Sequence, residues 1–227
     1  MDEIYSRTVA AIGESALKAL QKSRVAVFGV GGVGGAICIA LARSGVGEID
    51  IIDKDTVEKS NINRQAVAFH STVGKYKTEI MKKIINEINP KIKVNTHNLF
   101  YLPETADEVL LDDFDYIADA IDNVTAKLTL IKKAKDENIP IISAMGAGNR
   151  LDPTRFKVAD IFDTTGCPLA KIMRRELKKL GIESLQTVFS DETPVQSAES
   201  GVVASLPFVP PVMGYIMAGE IVKGLIK

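Results

Sequence analysis

The sequence has few of the residues that build disulfide frameworks and zinc sites. Only two cysteines, Cys38 and Cys167, and two histidines occur among its 227 residues. Two separated cysteines form neither a disulfide framework nor a four-thiolate zinc site, so no zinc is expected. Free thiols of this kind suit a reducing compartment, and we expect a cytoplasmic protein.

The chain also lacks an excess of charge of one sign. Lysine and arginine total 28, aspartate and glutamate total 29, and the formal net charge is −1. This balance gives no support for a general electrostatic attraction to nucleic acid, although a local basic patch is still compatible with it. Hydrophobic residues make up 46% of the chain, which argues against wholesale disorder.

We expect neither a secretory signal nor a membrane-spanning segment in this sequence. The first residues, "MDEIYSRT", are acidic and polar, unlike a secretory signal. The late apolar stretch "FVPPVMGYIMAGEIVKGLIK" contains two prolines and is interrupted by Glu220 and Lys223, so it is too broken to span a bilayer. We expect no membrane partner, and a terminal helix that packs on the core or on a partner subunit.

Strand-like and helix-like patterns alternate along the first part of the chain. A helical stripe covers residues 4–21, and apolar strands then alternate with amphipathic segments. Strands are predicted at "RVAVFG", "EIDIID", "KIKVNTHN", "DYIADAI" and "IPIISAM", and helices over 33–44, 76–88, 104–111 and 124–137. This order predicts an α/β fold of Rossmann-like, doubly wound type, with a mostly parallel sheet covered by helices on both faces.

The pattern changes after Gly148. We expect a single domain over 1–227, in which 1–150 form the nucleotide-binding core and 151–227 a substrate-facing extension that ends in the terminal helix. The extension is predicted to contain an addition to the sheet at "NRLDPTRFKVADI", a basic helix over 168–180, a short strand at "SLQTVFS" and a mobile or crossover loop over 191–207.

A glycine loop follows the first predicted strand. Gly29, Gly31 and Gly34 precede an apolar helix, and Asp53 ends the next strand. Backbone amides at 31–34 and the helix N-terminus form an anion site, while Asp53 is placed to accept hydrogen bonds from ribose hydroxyls. These features alone fit NAD as well as ATP.

Three charged residues favour ATP over NAD. Arg64, Lys77 and Asp122 follow strands or begin helices, at the sheet edge where doubly wound proteins bind ligands. A triphosphate carries more charge than a diphosphate, and its transfer needs cations on the leaving group. Asp122 is placed to bind Mg²⁺ that bridges phosphate oxygens. Each residue taken singly is equally compatible with a surface ion pair.

The segments "GVGGVG", "DKDTVEKSNINRQ", "VGKYK" and "AIDN" resemble a known nucleotide site. They are similar to the family of ubiquitin-activating enzymes and of the ThiF-like adenylyltransferases of thiamine and molybdopterin biosynthesis. The resemblance covers residues 1–150 and implies attack of a carboxylate on the α-phosphate of ATP, which gives an acyl adenylate and pyrophosphate.

The resemblance also implies roles for individual residues. Arg64, Lys77, Asp122 and Arg7 would be catalytic, with Arg7 of "YSRT" reaching the ATP of a partner subunit in a homodimer. Asp122 would position Mg²⁺. The implied ATP-binding residues are Gly29, Gly31, Gly32, Gly34, Asp53, Asp55, Asn61, Arg64, Gln65, Lys77, Asp122 and Asn123. A monovalent cation and a cysteine-desulfurase system are further components that the resemblance suggests.

The second half differs from relatives that act on sulfur carriers. It has no Cys-x-x-Cys pair and no cysteine within 191–207. Its segments "GAGNRLDPTRFKVADIFDTTGCPLAKIMRRELKKLGI", "VFSDETPV" and "FVPPVMGYIMAGEIVKGL" resemble instead the tRNA threonylcarbamoyladenosine dehydratases. That branch activates the threonyl carboxylate of a modified adenosine in tRNA, and the modification's own nucleophile closes a ring. The alternatives are an adenylyltransferase for a ubiquitin-like sulfur carrier and a nucleotide-sensing dimer.

Two features of the second half have open interpretations. The helix over 168–180 is either a docking site for the tRNA backbone or an ordinary solvated face balanced by Glu176. Cys167 precedes Pro168 at a predicted helix N-terminus, where a reactive thiolate is conceivable, but we expect it to cap the helix. Cys38 is predicted to lie in the core.

Overall fold

A seven-stranded sheet forms the centre of the computed structural model, which describes residues 3–199 and 201–227. Its strand order is β3-β2-β1-β4-β5-β7-β6. All neighbouring strands are parallel except β6 and β7, which pair antiparallel. The strands are β1 Arg24–Phe28, β2 Glu48–Ile52, β3 Lys93–His97, β4 Tyr116–Asp119, β5 Ile141–Ala144, β6 Phe156–Asp160 and β7 Gln186–Ser190.

Helices cover both faces of this sheet. They are α1 Ser6–Ile12, α2 Glu14–Lys22, α3 Gly32–Ser44, α4 Lys77–Ile88, α5 Val124–Asp136, α6 Pro168–Lys179 and α7 Val209–Leu225. One apolar core contains side chains of α2, α3, α4 and α7, and a second core on the opposite face contains those of α5 and α6. The expected α/β fold, a mostly parallel, doubly wound sheet with a C-terminal sheet extension, is confirmed.

The terminal helix α7 belongs to the core of its own chain. Met213, Met217 and Ile221 are fully buried, and α7 packs along α3. Gly214 permits this close packing, because a Cβ atom there would lie 2.3 Å from the Val33 carbonyl oxygen. No helix in the described part of the chain is both long enough and apolar enough to cross a membrane.

Two predicted helices differ from those observed. The stripe over 4–21 is interrupted at Gly13, whose φ of 84° breaks the helix and separates α1 from α2. The segment 104–111 contains only a short 3₁₀ turn, Ala106–Glu108. The Thr105 hydroxyl accepts a hydrogen bond from the Leu102 amide and donates to the Phe100 carbonyl, and such local bonds compete with a helix.

Candidate functional site

A cavity of about 510 Å³ lies at the carboxyl ends of the central strands. The chain order of the strands reverses between β1 and β4, and ligands of open α/β sheets bind at such a switch point. The cavity walls come from the ends of β1, β2, β4 and β5, from the start of α3 and from the segment before α7. The glycine loop, the ends of two strands and a distant loop therefore share one space.

The glycine loop forms the wall beside β1. Gly31 immediately precedes α3, and Gly31, Gly32 and Val33 line the cavity. The first amides of a helix have no partner within the helix, so this end of α3 suits a phosphate. Gly34 serves packing, because a Cβ atom there would lie 1.7 Å from the Gly29 carbonyl oxygen. Gly29 has a φ of 89°, which favours glycine.

Asp53 follows β2 and lines the cavity next to the glycine loop. Its two carboxylate oxygens accept hydrogen bonds from the Val30 amide at 2.6 Å and the Asp55 amide at 2.8 Å. Burial raises the pKa of Asp53 above its ordinary value, and the Asp55 amide, Lys77 and the Val30 amide oppose that shift. Further donors, such as the hydroxyl groups of a ribose, would stabilise the ionised carboxylate.

Charged side chains of both signs surround the cavity. Its cations are Lys54, Arg64 and Lys77, and its carboxylates are Asp53, Asp55 and Asp122. Lys77 is only 6% exposed, and its ammonium group lies 2.9 Å from Asp55 Oδ2. Arg64 donates to two neutral acceptors, the Ser60 carbonyl at 2.9 Å and Asn63 Oδ1 at 2.8 Å. The structure thus brings the predicted Arg64, Lys77 and Asp122 to one site.

Gln65 contributes a buried polar group to the same wall. It is 8% exposed, and its Oε1 atom has no hydrogen-bond partner among the described residues. An unpaired buried acceptor costs about 1–3 kcal/mol, so a ligand that donates to it would be favoured. The cavity, its cations and this unpaired oxygen fit a polyanionic nucleotide.

Other predicted residues do not line the cavity. Asn61 caps the turn after Glu58, since its Oδ1 accepts from the Glu58 amide, and Asn123 caps α5 by accepting from the Ala126 amide. Gly34 lies behind the loop. Arg7 is exposed on α1 and is not part of the cavity wall of its own chain.

The cavity also contains residues that the sequence patterns do not reveal. Lys54 lies over the Phe100 ring, with its ammonium 4.0 Å from the ring centre, and Tyr101 packs edge-on against Phe28. Val203 and Ser205 come from the loop over 191–207, of which residue 200 lies outside the described residues. Lys54 could have been predicted from its position directly after Asp53. Val203 and Ser205 could not, because they reach the cavity through long-range contacts.

The two cysteines lie away from the cavity surface. Cys38 is fully buried in α3, where burial raises the pKa of its thiol to about 12, so its prediction as a core residue is confirmed. Cys167 directly precedes α6 and is 3% exposed. Its side chain makes no capping hydrogen bond, so the expectation that the side chain caps the helix is wrong; the buried thiol packs near Gly146 instead.

The basic helix α6 begins beside the cavity, which Leu169 of its first turn lines. Arg174 donates to the Thr164 carbonyl at 2.8 Å, and Glu176 pairs with Arg175 and Lys179. Lys171 and Lys178 are exposed, and neither has an ion-pair partner within the described ranges. Both interpretations of this helix thus have residues that fit them.

Comparison with known proteins extends these observations. A tRNA threonylcarbamoyladenosine dehydratase of Bacillus subtilis (strain 168) is 43% identical over 240 residues, which cover 98% of this chain and 94% of the relative. A protein of the same name from Haemophilus influenzae is 42% identical over 163 residues, 72% of this chain and 62% of the relative.

A solved structure agrees along nearly the whole chain. The tRNA N6-threonylcarbamoyladenosine dehydratase TcdA of Escherichia coli, in complex with ATP, superimposes with a TM-score of 0.93 at 32% identity. The match covers 99% of this chain and 94% of that protein. The model of the ThiF family matches residues 5–227, whereas the ThiF-like sequence motifs described above covered only 1–150. The chain therefore belongs to the ThiF family.

Proposed function

We propose that this protein is an ATP-dependent adenylating enzyme that cyclises the threonylcarbamoyl group of a modified adenosine in tRNA. The observation that carries the proposal is the cavity at the switch point, where the N-terminus of α3, Arg64, Lys77 and Asp122 meet. The relatives reported above are named for this activity, and one of them was solved with ATP.

The first step would be transfer of the adenylyl group. An oxygen of the threonyl carboxylate attacks the α-phosphorus of ATP, the bond from that phosphorus to the bridging oxygen breaks, and pyrophosphate leaves. Arg64 and Lys77 would stabilise the charge that develops on the phosphates, and the amides at the start of α3 would hold them. Asp53 would accept hydrogen bonds from the ribose hydroxyls.

Mg²⁺ fits the donor set of the site. No group of three or more acidic, histidine or cysteine side chains that could hold a metal ion occurs among the residues that the structure describes. Mg²⁺ usually binds one or two carboxylates together with substrate phosphates. Asp122 would supply such a carboxylate, and the bound ion would neutralise phosphate charge.

The second step would need no nucleophile from the protein. A nucleophilic atom of the threonylcarbamoyl group attacks the activated acyl carbon, the ring closes, and AMP leaves with its bonding electron pair while the nucleophile loses a proton. Neither described cysteine lines the cavity, which is consistent with this route.

We further propose that the protein acts in the cytoplasm as a homodimer and docks tRNA along α6. Lys171 and Lys178 are seven residues apart, so they share one face of α6, the helix that begins beside the cavity. Arg7, which lies outside its own cavity, would complete the site of the second copy. The family resemblance is the only support for a cysteine-desulfurase partner and for a monovalent cation.

ATP–pyrophosphate exchange with the purified protein tests the proposal. Exchange should depend on tRNA that carries threonylcarbamoyladenosine, and it should be absent with unmodified tRNA and in the Asp122→Ala variant. Exchange driven instead by a carrier protein ending in Gly-Gly would identify an adenylyltransferase for a sulfur carrier. ATP binding without exchange on either substrate would identify a nucleotide sensor, and tight binding of NAD without ATP would reject the nucleotide assignment.

A further inference from the structure

Three buried polar side chains lie behind the cavity and have no role in the chemistry above. Asp119, Lys127 and Ser143 each have no exposed surface. The Lys127 ammonium donates to Asp119 Oδ2 at 2.8 Å and to Ser143 Oγ at 3.2 Å, and the Ser143 hydroxyl donates to Asp119 Oδ2 at 2.5 Å. Removing two charges from water is costly, so a buried pair of this kind is a poor source of stability and needs another explanation.

The three residues come from neighbouring elements that meet beneath one short segment. Asp119 ends β4, Ser143 lies on the adjacent β5, and Lys127 is on the first turns of α5. Between Asp119 and α5 runs the segment 120–123. Asp119 uses its other oxygen, Oδ1, to accept the Ile121 amide at 3.1 Å. The carboxylate is thus bound on both oxygens, once by the segment and once by the buried cluster.

The segment 120–123 carries a wall of the cavity. Ala120, Ile121 and Asp122 all line it. The glycine loop rests directly on this segment, since a Cβ atom at Gly29 would lie 2.6 Å from the Ala120 carbonyl oxygen. A shift of the segment would therefore move Asp122 and disturb the glycine loop together.

We propose that Asp119, Lys127 and Ser143 form a positioning cluster for Asp122. Lys127 and Ser143 orient the Asp119 carboxylate, the carboxylate fixes the Ile121 amide, and the backbone then presents Asp122 to the phosphates. The cluster touches no substrate, and it acts only through the segment. This inference rests on the proposed function, because that function assigns the phosphates and Mg²⁺ to Asp122.

A double variant separates positioning from stability. Asp119→Asn combined with Lys127→Met removes both charges and keeps the side-chain volumes similar. Proteins often tolerate such a replacement of a buried ion pair without loss of stability. We expect an unfolding temperature close to that of the wild type. The kcat of ATP–pyrophosphate exchange should fall at least tenfold and the KM for ATP should change less than threefold, because Asp122 acts mainly on charge that develops during transfer.

Thr187→Val provides the matched control. Thr187 is also fully buried, on β7, and its hydroxyl donates to the Ala159 carbonyl at 3.2 Å, away from the segment 120–123. This variant should lose stability and keep its kcat. Ser143→Ala is a milder change to the cluster and should lower kcat by a few-fold.

Amide hydrogen exchange, followed by mass spectrometry, gives a readout that does not depend on catalysis. Peptides spanning 120–124 should exchange faster in the double variant than in the wild type, and the Thr187→Val protein should show no such change. A folded double variant with normal kcat, or with normal exchange in these peptides, would overturn the proposal. If the double variant does not fold, the same two measurements on Ser143→Ala decide.

The outcomes also separate this inference from the proposed function. If the wild type shows no ATP–pyrophosphate exchange, the proposed function fails. Hydrogen exchange at 120–124 then decides alone whether the cluster holds the segment that carries Asp122. Exchange in the double variant that equals that of the wild type would reject the cluster's role.

Discussion

At the scale of the residue, Lys77 and Arg64 differ in whether a carboxylate of the protein already pairs with them. Lys77 is paired with Asp55 at 2.9 Å, whereas Arg64 donates only to neutral oxygens. Phosphate oxygens would therefore compete with Asp55 for Lys77, but they would meet the charge of Arg64 without such competition. Both cations can stabilise transferring phosphates, and Arg64 offers the less compensated charge.

Arg64→Ala and Lys77→Ala should lower turnover far more than stability. If each cation stabilises charge in the transition state, its loss costs about 2–4 kcal/mol of barrier, or 10²–10³ in kcat. Steady-state ATP–pyrophosphate exchange and thermal unfolding measure the two effects. Lys132→Ala is the control, because Lys132 is exposed, pairs with Asp136 and lies outside this cavity. Normal turnover in both cavity variants would show that neither cation contributes to catalysis.

Cys167→Ser should retain substantial ring-closing activity. The thiol is buried near Gly146, Cys167 itself does not line the cavity, and the proposed nucleophile belongs to the substrate. A serine hydroxyl at this position can in addition cap α6, as serine does at helix N-termini. The measurement is formation of the cyclised nucleoside in digested tRNA. A trapped thioester on Cys167, together with complete loss of activity in the variant, would establish covalent catalysis instead.

Asp50→Asn should make the protein less stable at neutral pH and less sensitive to acid. Burial opposes ionisation of Asp50, but hydrogen bonds from His97, Arg24 and Asn95 outweigh it and hold its pKa at about 2, below the ordinary 3.8. A lowered pKa in the folded state gives about 2 kcal/mol of stability that is present above pH 4. That stability is lost as the pH falls towards 2.

Urea unfolding of both proteins across this pH range is the measurement. The difference in the free energy of unfolding between wild type and Asp50→Asn should shrink as the pH falls below 4. A difference that stays constant with pH would show that Asp50 contributes through its shape and neutral hydrogen bonds and not through its charge.

At the scale of the element, the sequence predicts the strands well and the irregular segments poorly. Apolar runs such as "RVAVF" are strands because they are buried on both faces, and that composition is visible locally. The break at Gly13 is not visible, since the apolar spacing continues on both sides of it. The bonds of Thr105 that replace a helix with a turn are local, yet they depend on a backbone path that the spacing does not specify.

The candidate site divides in the same way. Asp53, Arg64, Lys77 and Asp122 were predictable because parallel strands bring their carboxyl ends to one edge. Ser205 was not, since its position depends on contacts such as the bond from Asn63 Nδ2 to the Ser205 carbonyl, 142 residues along the chain. The pairing of Asp119 with Lys127 could not be predicted, because a buried ion pair leaves no periodic pattern in the sequence.

Reversing charge on α6 should weaken tRNA binding and leave ATP binding unchanged. Lys171→Glu with Lys178→Glu changes the two exposed lysines that have no ion-pair partner within the described residues, and both share one helix face. Loss of two phosphate contacts should also reduce the slope of log affinity against log salt concentration. Filter binding of tRNA at several salt concentrations, with calorimetry for ATP, measures both.

Lys18→Glu with Lys22→Glu is the matched control for this element. It makes the same change in net charge on α2, whose exposed lysines lie on a helix that does not line the cavity. Equal weakening by the two double variants would mean that overall charge, and not α6, governs the affinity for tRNA.

At the scale of the whole molecule, the N-terminal region presents a second concave surface. A groove of about 690 Å³ is lined by apolar and basic side chains near α4, and Ile4 and Phe69 at its rim are each 55% exposed. Arg7 lies on α1, close in sequence to Ile4 and exposed. The homodimer proposed above would cover such an exposed apolar surface, and Arg7, which does not line the cavity of its own chain, would then act on the cavity of the second copy.

Mixing two inactive variants tests this arrangement directly. Arg7→Ala and Asp122→Ala should each be nearly inactive alone, because every site of an Arg7→Ala dimer lacks the arginine and every site of an Asp122→Ala dimer lacks the carboxylate. After subunit exchange, a mixed dimer contains one site with both residues intact, since an arginine from a neighbour stabilises phosphate charge as well as one within the chain. Activity should then return to at most half of the wild-type value per mixed dimer.

Native mass spectrometry verifies the exchange. If verified mixed dimers have no activity, Arg7 either acts in its own subunit or has no role in catalysis. A protein that is monomeric in solution would reject the composite site altogether.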